Sequence, residues 1–423
     1  MTTHALATSN PPLARRGHAA ALRGDIQGLR AIAVASVVLY HLWPNRIPGG
    51  FVGVDIFFVI SGFLITSHLL KAPPRRPADV FRFWARRLRR LLPASLLVLL
   101  VVSVASRFYL PSSMWVDTAR QVVASAFYVQ NWELANSAVD YLAADNAPSP
   151  VQHFWSLSVE EQFYFVWPVL IGVLALLGRR WAGERRAIAW GMIAVVVLSF
   201  AVSVGMTATE PGVAYFATPT RMWELGIGGL GALLLPWVVE RGASVRALMA
   251  WLGLMGMAAS FVLISGSTPF PGAAAALPVL STFLVLISAA QGSASPAGVL
   301  GWRPLRFLGD ISYSVYLWHW PLIVLAPALT GSLGALDKLF IALTSLVLGW
   351  LSFRFVEPVF RNRAWWQGTG RTFIASGLAM VLVAGAGTWL AVAATAQKDK
   401  STQSLAQALK DPGICVGAEA LPA

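Results

Sequence analysis

Long apolar runs recur from one end of the chain to the other and constrain its fold more than any other feature. A helix of about 20 apolar residues crosses a hydrocarbon layer about 30 Å thick. Runs of that size fall at Ile26–Trp43, Phe51–Leu70, Leu91–Leu110, Phe154–Leu177, Ala187–Ala208 and Met222–Val239. Val245–Ser265, Ala273–Ala290, Ile311–Leu329, Leu336–Phe355 and Thr372–Thr395 continue the series, Ala273–Ala290 being short and interrupted by Pro278. Only 12% of the 423 residues are charged, about half the share of an ordinary soluble domain, which excludes a soluble enzyme. The expected fold class is an all-α integral membrane protein of about eleven transmembrane helices.

Lys and Arg number 32 against 19 Asp and Glu, a net charge of +13, and in so apolar a chain the excess sits in loops. Sorted loop by loop, Arg15, Arg16, Arg23, the cluster from Lys71 to Arg90, the four arginines from Arg179 to Arg186, Arg241 and Arg246 fall on the side of the N-terminus. Arg303, Arg306 and the arginines from Arg354 to Arg371 follow suit. The other side receives Arg46, Arg107, Arg120, Arg221, Lys338 and the lysines of the tail. The positive-inside rule therefore predicts a cytoplasmic N-terminus and, with an odd number of spans, an external tail after Thr395. Met1–Asp25 is polar and has no compact apolar run with a cleavage site, so the first span is expected to act as an uncleaved anchor.

Two stretches are not simple spans. Asp79–Arg90 places Phe81, Trp84 and Leu88 on one helical face with arginines around the rest, the pattern of a basic amphipathic helix at the inner membrane surface. Ser112–Pro150 is a long external excursion whose semi-apolar middle, Val122–Trp132, suits a re-entrant segment. The tail from Gln397 reads as a polar linker.

Ionisable groups inside spans are expensive and mark candidate functional residues. Arg30 and His41 lie eleven residues apart on the first span, so they share a face about 16 Å apart along the axis. One reading has Arg30 snorkelling to the inner interface and His41 packing near Trp43. The other makes them a fixed cation and a titratable base on one path. Glu160 and Glu161, in HFWSLSVEEQFY, cannot share a face, so at most one points along that path; charge pairing with a neighbour such as Arg221 competes with catalysis. His153 and Ser156 open the same motif, Asp55 sits early in the second span as an ion-pair or path residue, and His319 lies mid-span beside Pro321. Arg221 and Glu224 read as a structural i, i+3 pair. Arg86, Arg87, Arg89 and Arg90 suit either anchoring on anionic lipid or attraction of a phosphate-bearing cytoplasmic donor. The single cysteine, Cys415, and the scattered histidines match no metal-site spacing, so no metal is expected. No phosphate-binding glycine loop is present, and a basic patch held at a bilayer is a poor nucleic-acid partner.

Taken together, Arg30–X10–His41, GGFVGVDIFFVISGFLI, FWARRLRRLLP, HFWSLSVEEQFYFVWP, ISYSVYLWHWP and FRFVEP resemble acyltransferase family 3, bacterial membrane O-acyltransferases of cell-envelope glycans, from about Gly24 to Phe360. The resemblance implies transfer of an acyl group, usually acetyl from cytoplasmic acetyl-coenzyme A, to a glycan hydroxyl at the outer face of the inner membrane. Acceptors in the family include lipopolysaccharide O-antigen, peptidoglycan and exopolysaccharide. It makes Arg30 and His41 the essential pair, and Arg86 with Arg89, or Arg87 with Arg90, the donor-holding element. It carries His153, Ser156, Glu160, Glu161 and His319 over as motif residues. The expected division is then a cytoplasmic tail (1–24), the acyltransferase transmembrane domain (25–360), a cytoplasmic loop with the eleventh helix (361–396), and an external linker (397–423). Members of the family often continue into an external SGNH-type domain; the expectation is that this chain is the membrane half of such a protein, with Cys415 paired beyond Ala423. Polar residues on several helices also suit a transporter that moves a substrate without forming a bond, with Pro278 and Pro321 as helix breaks.

Overall fold

The computed structural model describes residues 23–139, 148–181, 183–362 and 364–408. Their regular structure is entirely helical. In chain order the helices are α1 (Gly24–Leu42), α2 (Gly53–Lys71), α3 (Pro77–Tyr109), α4 (Trp115–Ala126), α5 (Gln130–Val139), α6 (Phe154–Trp181) and α7 (Glu184–Thr209). The short α8 (Pro211–Phe216) leads to α9 (Thr218–Val238), α10 (Ala243–Leu263), α11 (Ala276–Ser288) and the single turn α12 (Ala297–Leu300). The remainder comprises α13 (Arg303–Leu325), α14 (Pro327–Thr330), α15 (Ala335–Leu351), α16 (Glu357–Asn362) and α17 (Thr369–Ala408).

Among the described residues, 7 helical segments are long and apolar enough to cross a membrane. They contain the expected spans in α2, α3, α6, α7, α10, α15 and α17. The other expected spans lie on α1, α9 and α13, whose lengths carry more polar residues, and on the short α11.

The helix most enclosed by protein is α2, apolar around its circumference, as suits a helix with neighbours on all sides. It packs along α9, where close approach depends on glycine: a Cβ at Gly62 would stand 1.8 Å from the Leu225 carbonyl oxygen, and one at Gly228 would stand 2.0 Å from that of Val59. Small residues at such crossings are how helices gain dispersion contact where lipid supplies no hydrophobic drive. α1 lies along α13 in the same manner, Gly309 meeting the Gln27 backbone. α1 also packs on α2, which links the two pairings.

At three expected segments the structure adds local detail. Asp79–Arg90 is not a separate surface helix but the opening turns of the continuous α3, which runs through Pro93; a membrane helix tolerates an internal proline. Trp84 stacks on Phe165 with ring centroids 4.4 Å apart, and Arg89 donates to Thr372 Oγ1 at 2.8 Å, so protein as well as any membrane surface holds this segment. Val122–Trp132 is divided between α4 and α5, with Asn131 Nδ2 donating to Thr218 Oγ1 at 2.9 Å. The helical register of α17 continues past Thr395 to Ala408 through residues rich in Ala, Gln and Lys, all good helix formers. The N-terminal tail to residue 22, Arg363, and the end of the tail with Cys415 lie outside the described residues.

Candidate active site

Two cavities meet inside the bundle. The inner one, about 250 Å³, is lined by Arg30 of α1, Arg87 and Arg90 of α3, and Glu160 and Tyr164 of α6. Asp310, Glu357 and Arg361 complete its charged lining. Arg30 Nη1 donates to Gln27 Oε1 at 3.1 Å, one turn back on the same helix. The carboxylate of Glu160 accepts hydrogen bonds from Ser61 of α2 and from the hydroxyl of Tyr164, four residues on. The Arg87 guanidinium lies 4.5 Å from the centroid of the Tyr164 ring. Four arginines thus face three carboxylates, a small excess of positive charge that can match an anionic or strongly polarised group, with the Glu160 carboxylate fixed by neutral donors.

The outer cavity, about 340 Å³, is lined by Tyr40, His41, His153, Trp155, Tyr215 and Trp320, among others. Val54 and Tyr316 line both cavities. The Tyr316 hydroxyl donates to the His153 carbonyl oxygen at 3.0 Å and stands 2.7 Å from Ser156 Oγ. Ser156 Oγ also reaches the same carbonyl, at 3.3 Å, so either hydroxyl can be the donor between the two side chains.

Three histidines gather here. His319 Nδ1 stands 2.6 Å from the Tyr316 carbonyl oxygen, which can only accept, so that nitrogen carries the hydrogen. In the neutral ring its Nε2 then accepts, and its neighbour at 3.0 Å is His41 Nδ1, which therefore donates. The consequence is a specified tautomer of His41: its Nε2 keeps the lone pair. The rings of His41 and His319 are stacked with an interplanar angle of 12°, and the Trp320 ring lies 4.5 Å from that of His41. His153 Nε2 donates to the Leu317 carbonyl at 3.1 Å, leaving its buried Nδ1 without a partner among the described residues.

The remaining sequence candidates separate. The orienting partner of His41 is His319, not Glu160 or Glu161: Glu160 is engaged by Ser61 and Tyr164 in the inner cavity. Glu161 faces an apolar groove with Tyr128 and Gln162. Arg221, expected as a possible partner for those glutamates, donates instead to Asp55 Oδ1 at 2.9 Å and Glu224 Oε1 at 3.0 Å, with all three side chains fully buried. The rings of Trp155, Tyr215 and Phe270 surround its guanidinium. Asp55 is thus an ion-pair residue behind the aromatic wall of the outer cavity. Arg87 and Arg90 reach the inner cavity, whereas Arg89 is tied to Thr372 and the Trp366 carbonyl, and Arg86 Nη2 lies 3.4 Å from His68 Nε2.

Sequence reasoning did not single out Ser61, Tyr164, Tyr316 or Trp320. The i, i+4 spacing of Glu160 and Tyr164 and the i, i+3 spacing of Tyr316 and His319 were available signals for two of them. The position of Ser61 opposite Glu160 has no local signature.

A family model described as an acyltransferase domain, acyltransferase family 3, matches residues 23–384. Over 366 residues the chain is 36% identical to the YrhL protein of Bacillus subtilis, covering 82% of this chain and 56% of that protein. It is 32% identical over 354 residues to the peptidoglycan O-acetyltransferase OatA of Listeria monocytogenes, covering 80% and 56% respectively. The O-acetyltransferase OatA of Staphylococcus aureus is 32% identical over 349 residues, covering 80% and 57%. The chain thus spans a little over half the length of these relatives. No solved structure matches it. With a family model covering most of its length, and relatives 32–36% identical over four-fifths of it, the chain belongs to acyltransferase family 3.

Proposed function

We propose that the chain is a membrane O-acyltransferase that moves an acetyl group from cytoplasmic acetyl-coenzyme A to a hydroxyl of a cell-envelope polysaccharide at the outer face of the bacterial inner membrane. Peptidoglycan, the acceptor in the name of the Listeria relative, is the first polysaccharide to test. The distribution of Lys and Arg supports about eleven crossings with a cytoplasmic N-terminus and an external tail, the arginine-rich start of α3 lying at the inner surface. The domain 25–360 then carries the chemistry, and the eleventh helix and tail lead away from it.

One observation carries the reading: a cavity lined by four arginines and three carboxylates and a histidine-lined cavity share Tyr316 as a wall. The thioester arm enters the inner cavity past Arg30, Arg87 and Arg90 and brings its carbonyl up to the Tyr316 boundary. The acceptor hydroxyl approaches from the outer cavity. His41 Nε2 takes the hydroxyl proton as the new C–O bond forms and the C–S bond breaks, and the same proton then passes from His41 to the departing thiolate, which leaves as free coenzyme A thiol and restores the neutral ring. His319 holds His41 in the tautomer that leaves Nε2 available, and the excess positive charge is shared along the two stacked rings.

The test uses the full chain reconstituted in lipid vesicles with acetyl-coenzyme A and soluble peptidoglycan fragments. Free thiol and an O-acetylated glycan are expected together. Intact acetyl-coenzyme A, with movement of a polar solute across the vesicle wall, would establish the transporter reading instead.

A further inference from the structure

Beneath the inner cavity lies a wider vestibule of about 820 Å³, which shares Gln27, Arg30, Leu64 and Arg90 with it. Its remaining charged lining comes from three separate segments: Arg23 at the start of α1, Lys71 at the end of α2, and Arg185 at the start of α7. One acidic residue, Glu184, is also present, and its carboxylate lies 3.6 Å from Arg179 Nε. By the loop sorting, all three cations belong to the cytoplasmic side.

Two of these cations are pre-positioned by the protein. Arg23 Nη2 donates to the Leu286 carbonyl at 2.7 Å and pairs with Asp25 Oδ2 at 2.6 Å, and Arg185 Nη2 donates to the Leu233 carbonyl at 2.9 Å. Each guanidinium has further N–H groups to offer; on Arg23 it is the buried Nη1 that has no partner among the described residues. The α3 arginines are less free for this purpose, because Arg89 is committed to α17. Volume separates the two spaces as well. The vestibule falls within the 300–1,000 Å³ range of small-molecule sites, and the inner cavity falls below it and suits only a slender arm.

We propose that Arg23, Lys71 and Arg185, with Arg90 at the neck, bind the phosphates of a nucleoside bisphosphate-type head group, that of the acyl donor, while its thioester arm alone threads the inner cavity. This assignment rests on the acyl-donor reading above. It places the polyphosphate chiefly on three loop ends outside the α3 arginine run, of which only Arg90 reaches the vestibule, at its neck.

The test compares wild-type chain with the triple variant R23Q/K71Q/R185Q in vesicles of neutral phosphatidylcholine and of anionic phosphatidylglycerol. Binding of adenosine 3′,5′-bisphosphate and the KM for acetyl-coenzyme A are measured, alongside the KM for S-acetylpantetheine, which lacks the nucleotide. Each lost cation–phosphate contact should weaken nucleotide binding roughly tenfold, in both lipids, without a parallel change for S-acetylpantetheine. The charge-preserving variant R23K/K71R/R185K should recover much of the loss, which separates lost charge from a damaged fold. Equal nucleotide binding by wild type and triple variant overturns the proposal, as does a difference confined to anionic vesicles, which would make lipid phosphates the ligand. If wild type releases thiol from acetyl-coenzyme A yet the variants match it, only this assignment fails. If wild type neither binds the nucleotide nor releases thiol, the donor reading itself fails.

Discussion

On one side of Tyr316 stand Arg30, Arg87 and Arg90 with the pinned carboxylate of Glu160; on the other stand His41, His153 and Trp320. A histidine that has to accept a proton is poorly served by three neighbouring guanidiniums, since like charges repel strongly away from bulk water. A thioester arm arriving with a charged head, by contrast, is served well by them. Dividing the two chemistries with a tyrosine and a valine lets each cavity keep the charge its task requires, and places the reacting bond at the division.

The sharpest way to break this comparison is His41→Ala. Removing the base should lower kcat on the order of 10²–10⁴-fold while leaving the KM for acetyl-coenzyme A within experimental error; a raised KM with normal kcat would move His41 into donor binding. Arg30→Gln tests the other side, and loss of one charge-assisted contact of about 1.5–3 kcal/mol predicts a KM for acetyl-coenzyme A higher by about 10- to 150-fold. His319→Leu removes the acceptor of the His41 Nδ1 hydrogen and should lower kcat about tenfold. His319→Gln offers an amide oxygen in its place and should restore part of that rate, an outcome that a purely packing role would not produce. The smallest effect belongs to Tyr316→Phe, which keeps the wall and loses the hydroxyl bridge to Ser156 and His153. Unfolding stability in detergent should drop by about 1 kcal/mol with kcat changed less than about threefold; a large fall in kcat would make the hydroxyl part of the chemistry.

What could be read in the sequence follows from range. Apolar runs marked out helices because burial in hydrocarbon is a local requirement, and Arg30 and His41 could be aligned because both ride on α1. The pairing of His41 with His319 spans 278 residues, and that of Asp55 with Arg221 spans 166; helix periodicity carries no information about either. Where the reading of local segments went astray, competing local signals were at fault. The arginines of Asp79–Arg90 drew attention to a surface segment where α3 is one continuous helix, and the polarity of Gln397 onward hid a run of good helix formers. Glu160 shows the same limit at the site: spacing separated it from Glu161 without choosing between them, and the serine opposite it belongs to another helix.

The buried ion pair between Asp55 and Arg221 also has a temporal side. At synthesis rates of about 5–20 residues per second, the 166 residues between them take roughly 10–30 s to emerge. During that interval α2 carries an acidic residue with no basic partner, at a cost of about 2.5–3.5 kcal/mol if fully inserted in lipid. The arrival of α9 ends that exposure and closes α2 into the bundle through the same glycine crossing, while the donor cavity waits longer still, for the residues from Asp310 to Arg361 that complete its lining.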